Sequence, residues 1–219
     1  MTPALTPDIA ATRGHAAKRE NIIDAAAHVF CREGFGGANI DLIAAEAGVS
    51  RQTVYNHHGD KENLFLAVVR EITDRSNAGV FATLATFPDR PADLEGELVE
   101  FAMRLNRDCI CSRDGKFLRK LIQTEGERYP ELFAAWREDG PGKTWGALAA
   151  RFARLAYSGH LDIDDPDTAA RQFLALANAE LQMPLMLGEP ISEEELRRTA
   201  ANAVRTFLRA YGRRAAPVA

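Results

Sequence analysis

An all-α fold is what the sequence predicts, on three observations. Apolar residues recur at spacings of three and four along most of the chain, which is the signature of helices that bury one face. Glycines and prolines fall between those stretches and punctuate them, as helix ends require. No stretch reads as a β-strand, and there is neither an internal repeat nor a low-complexity tract. At 219 residues the chain is long enough for a small module and a larger one, each with its own core. The predicted division is a flexible arm over 1–16, a first module over 17–76 and a second over 77–219.

The arm carries two prolines and no apolar period. From Ala17 the pattern turns helical, with Ile22, Ala26, Val29 and Phe30 on one face and Gly34 as the cap that ends it. A short helix follows over Ile40 to Ala47, opened by Asn39 and interrupted by Gly48. Ser50 caps a third helix to about His57, closed by Gly59. Asp60 caps a fourth, in which Leu64, Val68 and Ile72 recur by four and which runs as far as Phe87, before Pro88 to Pro91. Beyond that break, Leu94, Leu98, Phe101, Leu105 and Cys109 share a face. Phe117 to Ile122 build the next helix, and Pro130 sits in the first turn of another. Trp145, Leu148, Phe152 and Leu155 follow Pro141-Gly142. A helix from Asp165-Pro166 is expected to reach Leu187 with a kink at Pro184, and Ser192 with Glu195 has the capping-box spacing that opens the last helix.

Composition narrows the function classes. Hydrophobic residues at 46% and charged residues at 26% describe a soluble globular protein. No apolar run approaches the roughly 20 residues that span a bilayer, so no membrane partner is expected, and Met1 to His15 lacks the basic and apolar parts of a secretory signal. The expected location is cytoplasmic. Cys31, Cys109 and Cys111 are an odd set without a CxxC pair, which argues against a disulfide framework; they read as small apolar side chains, with a redox-sensing thiol as the alternative. A net charge of −4 speaks mildly against nucleic acid, but a local cluster of cations acts within an acidic whole.

Ile40 to His58 contains the parts of a helix-turn-helix, about residues 39–58. Ala44 permits close approach of two helices, Gly48 makes the turn, and Val49 and Val54 point inward. Arg51, Gln52, Thr53, Tyr55 and Asn56 are left mostly outward. Arginine suits guanine, glutamine and asparagine suit adenine, and a threonine methyl suits thymine. Tyr55 offers a hydroxyl to a phosphate, and Lys61 stands at a helix start that favours an anion. A solvated polar face explains the same spacing.

Residues Lys18 to Leu64 resemble the DNA-binding domain of the TetR family of bacterial repressors. The resemblance rests on Ile22-Ile23-Asp24-Ala25-Ala26, Phe30 to Phe35, Ile43 to Ser50, Thr53 to His57 and Lys61-Glu62-Asn63-Leu64, in the right order. It implies that Tyr55, His57 and Lys61 contact phosphates while Arg51, Gln52, Thr53 and Asn56 face the major groove. Asn39 stands where the family usually has threonine, and it too can cap and donate to a phosphate. His58 departs from the usual phenylalanine, and lower local stability is expected there. A looser likeness to one subgroup of the family covers Thr124 to Leu132 and Leu161 to Phe173.

The same resemblance implies a small hydrophobic effector bound between helices of the second module. The candidate lining is Phe101, Leu105, Leu118, Leu121, Ile122, Trp136, Trp145 and Phe152, with Met103, Cys109 and Asn178 as weaker candidates; plain core is the alternative for each. It implies, too, a homodimer through the last two long helices. Leu174, Leu181, Leu185, Ala200, Val204, Phe207 and Leu208 are assigned to that interface, because they exceed what one protomer's core easily absorbs. A two-fold dimer sets recognition helices roughly 34–36 Å apart, to read a palindromic operator in double-stranded DNA. Ligand binding is expected to tilt the helices around the pocket, with the fourth helix carrying the motion, at a coupling of about 1–3 kcal/mol.

Two other function classes fit the sequence less well. An enzyme is disfavoured because GxSxG, HExxH, P-loop and GxGxxG motifs are absent, and no cofactor is called for. Asp162, Asp164, Asp165 and Asp167 hint at a metal loop, but Pro166 and the missing glycine and distal glutamate spoil an EF-hand; charge at a helix start explains them better. The histidines are not spaced as a ligand set, and adjacent His57 and His58 are a weak metal candidate. A helical interaction protein without DNA binding leaves Arg51, Gln52 and Tyr55 without a purpose.

Overall fold

The computed structural model describes residues 9–213 of the chain, with side chains from residue 16 onward. The described residues form eleven α-helices and two π-helical turns, with no strand beyond a single bridge between Leu161 and Gly212. The all-α expectation holds. Residues 1–8 of the expected arm lie outside the described residues, and α1 (Ile9–Gly37) begins well before Ala17.

Two compact units divide the chain. One contains residues up to Ile72 together with Phe117–Phe133, and the other contains Thr73–Lys116 and Ala134 onward. Residues 117–133, which follow the expected first module in sequence, thus pack with the N-terminal unit. The reason is burial: Phe117, Leu118, Leu121, Glu125 and Phe133 are all buried, and the Tyr129 ring lies 5.6 Å from that of Phe35 and 5.0 Å from that of Phe65.

In the first unit, α1 carries a kink at Gly34, whose φ of 68° and ψ of 174° break the helical path in a region that favours glycine. The helices α2 (Ile40–Ala47), α3 (Arg51–His58) and the start of α4 (Lys61–Leu84) follow. Their inward faces join Ile22, Ile23, Ala26, Val29 and Phe30 of α1 to Ile43, Ala44, Val54, Leu64, Phe65 and Val68 as buried core. Phe30, Phe35 and Phe65 meet within 5.2–6.0 Å. Val49, expected inside, is only partly buried.

The second unit packs α5 (Leu94–Leu105), α8 (Lys143–Tyr157), α9 (Pro166–Ala179) and α11 (Glu193–Tyr211) around one core. Its centre is aromatic: Phe87, Phe101, Phe152, Phe173, Phe207 and Tyr211 touch in series at centroid distances of 4.9–6.3 Å. The helices α6 (Arg113–Glu125) and α7 (Pro130–Arg137) run across the sequence limits of both units. The π-helical turns are Asn106–Ile110 and Glu138–Gly142.

The helix expected from Pro166 to Leu187 is two helices. α9 ends at Ala179 and α10 (Gln182–Met186) restarts after Glu180 and Leu181. Proline clashes with the carbonyl four residues before it, and for Pro184 that residue is Glu180, where the break falls. The last helix opens as expected: Ser192 Oγ accepts from Glu195 N at 3.2 Å, and Ser192 N donates to Glu195 Oε2 at 2.8 Å.

Candidate nucleic-acid interface

The interface is built on two caps and one turn. Asn39 opens α2, its Oδ1 accepting from Leu42 N at 2.9 Å. Gly48 ends it in the left-handed region at φ 66° and ψ 31° and returns its N–H to Ala44 and Ala45 carbonyls. Ser50 then opens α3 by accepting from Thr53 N at 3.1 Å. Gly59, at φ 76°, closes α3 with its N–H on Tyr55 O at 2.8 Å. Val54 is the buried residue of α3 and pins it to the core, so the remaining side chains of that helix must face away from it.

Asn39, Arg51, Gln52 and Asn56 are exposed, and Thr53, Tyr55, His57 and Lys61 are partly buried. Several of these side chains engage one another. Gln52 Nε2 donates to Asn56 Oδ1 at 2.8 Å. Arg51 reaches Asp41 Oδ2 at 3.4 Å and Tyr55 OH at 3.3 Å. The Thr53 hydroxyl lies 2.8 Å from that of Ser50. Exposed contacts of this kind contribute little to stability, and DNA can replace them at small cost while gaining side chains already ordered. Nothing in the sequence marks Asp41 for this role, since an acidic residue in the first turn of α2 equally complements the helix dipole.

Lys61 has a second occupation. Its Nζ donates to Phe35 O at 2.8 Å and Ala38 O at 3.0 Å, and sits 4.5 Å from the centroid of the Phe35 ring. It therefore braces the turn between α1 and α2, whatever else it touches. His58 is half-buried, its Nε2 without a hydrogen-bond partner, and burial, then His57 and Arg19, push its pKa below the usual histidine range.

The eight residues expected to line an effector pocket are divided between the two units. Phe101, Leu105 and Phe152 are fully enclosed in the core of the second unit, and Trp136 and Trp145 are half-buried in that unit. Leu118, Leu121 and Ile122 belong to the first unit. Of the weaker candidates, Met103 and Cys109 are core, and burial pushes the Cys109 thiol up to about 11, far from the thiolate that redox chemistry needs. Asn178 has a buried Oδ1 without a partner. Two open clefts in the second unit have other linings. One of about 340 Å³ lies between Arg75, Ser76, Gly79 and Asp108, Ser112, Arg113, Asp114; one of about 750 Å³ follows Thr86 to Asp93 and the outer face of α5.

Among the residues assigned to a dimer interface, Leu181, Ala200, Val204 and Phe207 are buried in the protomer's own core, while Leu174, Leu185 and Leu208 are only partly covered. The protomer thus absorbs more of that apolar face than the sequence reading allowed. Asp165, from the suspected metal loop, caps α9 by accepting from Asp167 N, Thr168 N and the Thr168 hydroxyl. Among the described residues no cluster fit to hold a metal is found, and no helix is long and apolar enough to cross a membrane.

Two short helices joined through a left-handed glycine, with the second presenting a polar outer row, define a helix-turn-helix DNA-binding protein. The chain belongs to the TetR family of bacterial transcriptional regulators. Residues 22–68 match the family's DNA-binding domain, described as bacterial regulatory proteins of the tetR family. Residues 96–213 match the AefR-like transcriptional repressor C-terminal domain. The chain is 32% identical to the HTH-type transcriptional repressor Rv1474c of Mycobacterium tuberculosis over 182 residues, which cover 80% of this chain and 85% of that relative. A TetR-family transcriptional regulator from Mesorhizobium loti superposes with a TM-score of 0.78 at 31% identity, covering 91% of this chain and 98% of that one. The flavonoid-responsive regulator FrrA superposes with a TM-score of 0.64 at 30% identity, covering 90% and 98%.

Proposed function

We propose that this regulator is a repressor that binds a palindromic operator as a homodimer and lets go when a small, largely apolar ligand enters its second unit. The observation that carries the DNA reading is the outer row of α3, where Arg51, Gln52 and Asn56 stand exposed on a helix fixed by Val54, Ser50 and Gly59. Arg51, Gln52, Thr53 and Asn56 read base edges, while Asn39, Tyr55, His57 and Lys61 hold phosphates. Such division of labour is general, since phosphate contacts position and base contacts specify. A regulator of this kind works on the chromosome, so we place it in the cytoplasm.

Repression is the reading favoured by likeness to Rv1474c, a repressor by name. Likeness to FrrA, which is flavonoid-responsive by name, favours a small aromatic or otherwise apolar effector. We place the effector beside Phe101, Leu105 and Phe152, with Trp136 and Trp145 at the margin. The ligand acts as a population shift: a coupling of about 1–3 kcal/mol lowers operator affinity some 5–150-fold.

Selection of duplexes from a random pool, followed by gel retardation, tests the DNA reading. A palindromic site is expected, with Arg51→Ala losing about 1–3 kcal/mol and tolerance appearing at one base position. Tyr55→Phe should weaken all sequences alike. Lys61 is a poor probe, because its ammonium also holds two backbone carbonyls. No retained duplex with the folded wild-type protein sinks the proposal.

A further inference from the structure

We propose that Glu125, at the end of α6, is a positioning residue for operator binding; this rests on the reading that α2 and α3 bind DNA. Glu125 lies 90 residues from the turn it serves: its Oε1 accepts from Phe35 N at 2.9 Å. Glu125 is buried, 8% exposed. Gly34 turns the chain out of the helical path just before Phe35, and a β-carbon on Gly34 would stand 3.6 Å from Glu125 Oε1. The next residues lead through Ala38, which is 2% exposed, to Asn39, the cap of α2.

Phe35 is held through both its backbone and its ring. Its N–H goes to Glu125, its carbonyl to Lys61, and two cations lie near its ring, Lys61 at 4.5 Å and Arg128 at 4.4 Å from the centroid. The Tyr129 ring meets it edge-on at 5.6 Å. Lys61 starts α4, and Glu125, Arg128 and Tyr129 come with α6 and the turn after it. The stretch that sets where α2 begins is thus held from α4 by a cation and from α6 by an anion, one on each polar end of the same residue.

A charged acceptor on a buried N–H is among the stronger hydrogen bonds. Removing it leaves the Phe35 amide without that acceptor, and the turn relaxes. The consequence falls on Asn39, both the cap of α2 and a proposed phosphate contact, and then on α3, whose fit to a groove tolerates little displacement. Glu125 so ties operator affinity to the position of α6, although it lies outside residues 17–76 and touches no DNA.

The test measures operator affinity, on a site selected with the wild-type protein, for Glu125→Gln, Glu125→Ala and Glu125→Met. Measurements are made well below the unfolding temperature of each variant, so that loss of fold does not enter. Gln keeps an acceptor oxygen and should bind within about twofold of wild type, whereas Ala and Met should bind about tenfold more weakly. Should Ala fail to fold, Met fills the volume and reads the same loss. Amide exchange at Phe35 should accelerate in Ala and Met and stay slow in Gln. Wild-type affinity in Ala or Met overturns the proposal, as does an equal loss in Gln. If the wild type selects no site, it is the DNA reading that fails.

Discussion

His58 closes α3 half-buried, with a ring nitrogen that finds no partner and a pKa pushed down chiefly by burial. The unfolded chain therefore binds a proton at this site at a higher pH than the folded one. Stability that is intact above the ordinary histidine pKa of about 6.5 is lost as the pH falls, until folded His58 is protonated too. His58→Phe removes both the orphaned nitrogen and the titration. It is expected to raise stability by about 1 kcal/mol near pH 7 and to lose less than wild type when unfolding is followed down to about pH 5. Identical pH profiles in the two proteins would refute this. The departure at His58 is legible in the sequence, because the family resemblance implies phenylalanine there. The brace supplied by Lys61 is not. Its carbonyl partners lie 26 and 23 residues away, and a lysine at a helix start reads equally well as an anion site. Nothing local marks Glu125 either, since its partner is reached only in the folded chain.

At the scale of elements, glycine conformation controls how well the helix-turn-helix forms. Gly48 sits at φ 66°, and a β-carbon there would meet nothing within 4 Å. The cost of a side chain is thus backbone strain alone. Gly48→Ala should destabilise by about 1–2 kcal/mol and Gly48→Asn by less, since asparagine tolerates the left-handed region. Urea unfolding measures both, and equal losses would show that something other than φ decides. Such punctuation is why α2 and α3 were readable nearly to the residue: Asn39, Gly48, Ser50 and Gly59 are local signals with local effects. The end of α9 was harder. Pro184 marked trouble, but its clash acts four residues upstream, so the helix stops at Ala179 rather than bending at the proline. Residues 106–110 and 138–142 widen into π-helical turns that no residue pattern announced.

For the whole molecule, an apolar residue on a helix says that it is covered but not by what. Leu181, Ala200, Val204 and Phe207 are covered by their own protomer, and that choice depends on how α9 and α11 meet α5 and α8, which helical spacing does not encode. The surface left for a partner is smaller. It contains the partly covered Leu174, Leu185 and Leu208, and beside Leu185 the exposed Met183, Met186 and Leu187, at 58%, 56% and 65%. Scattered single apolar residues are ordinary on protein surfaces, whereas a contiguous set marks an interface. If these residues join two protomers, Leu174→Glu with Leu208→Glu places charge in the seam while leaving the Phe152–Phe207 stack untouched. Sedimentation should then find monomers where wild type is dimeric. Because a dimer engages two half-sites at once, operator affinity should fall by about 10²–10⁴-fold, with helical content close to wild type. A wild-type protein that sediments as a monomer at micromolar concentration, yet binds its operator tightly, would remove the two-fold arrangement and with it the reason to expect a palindrome.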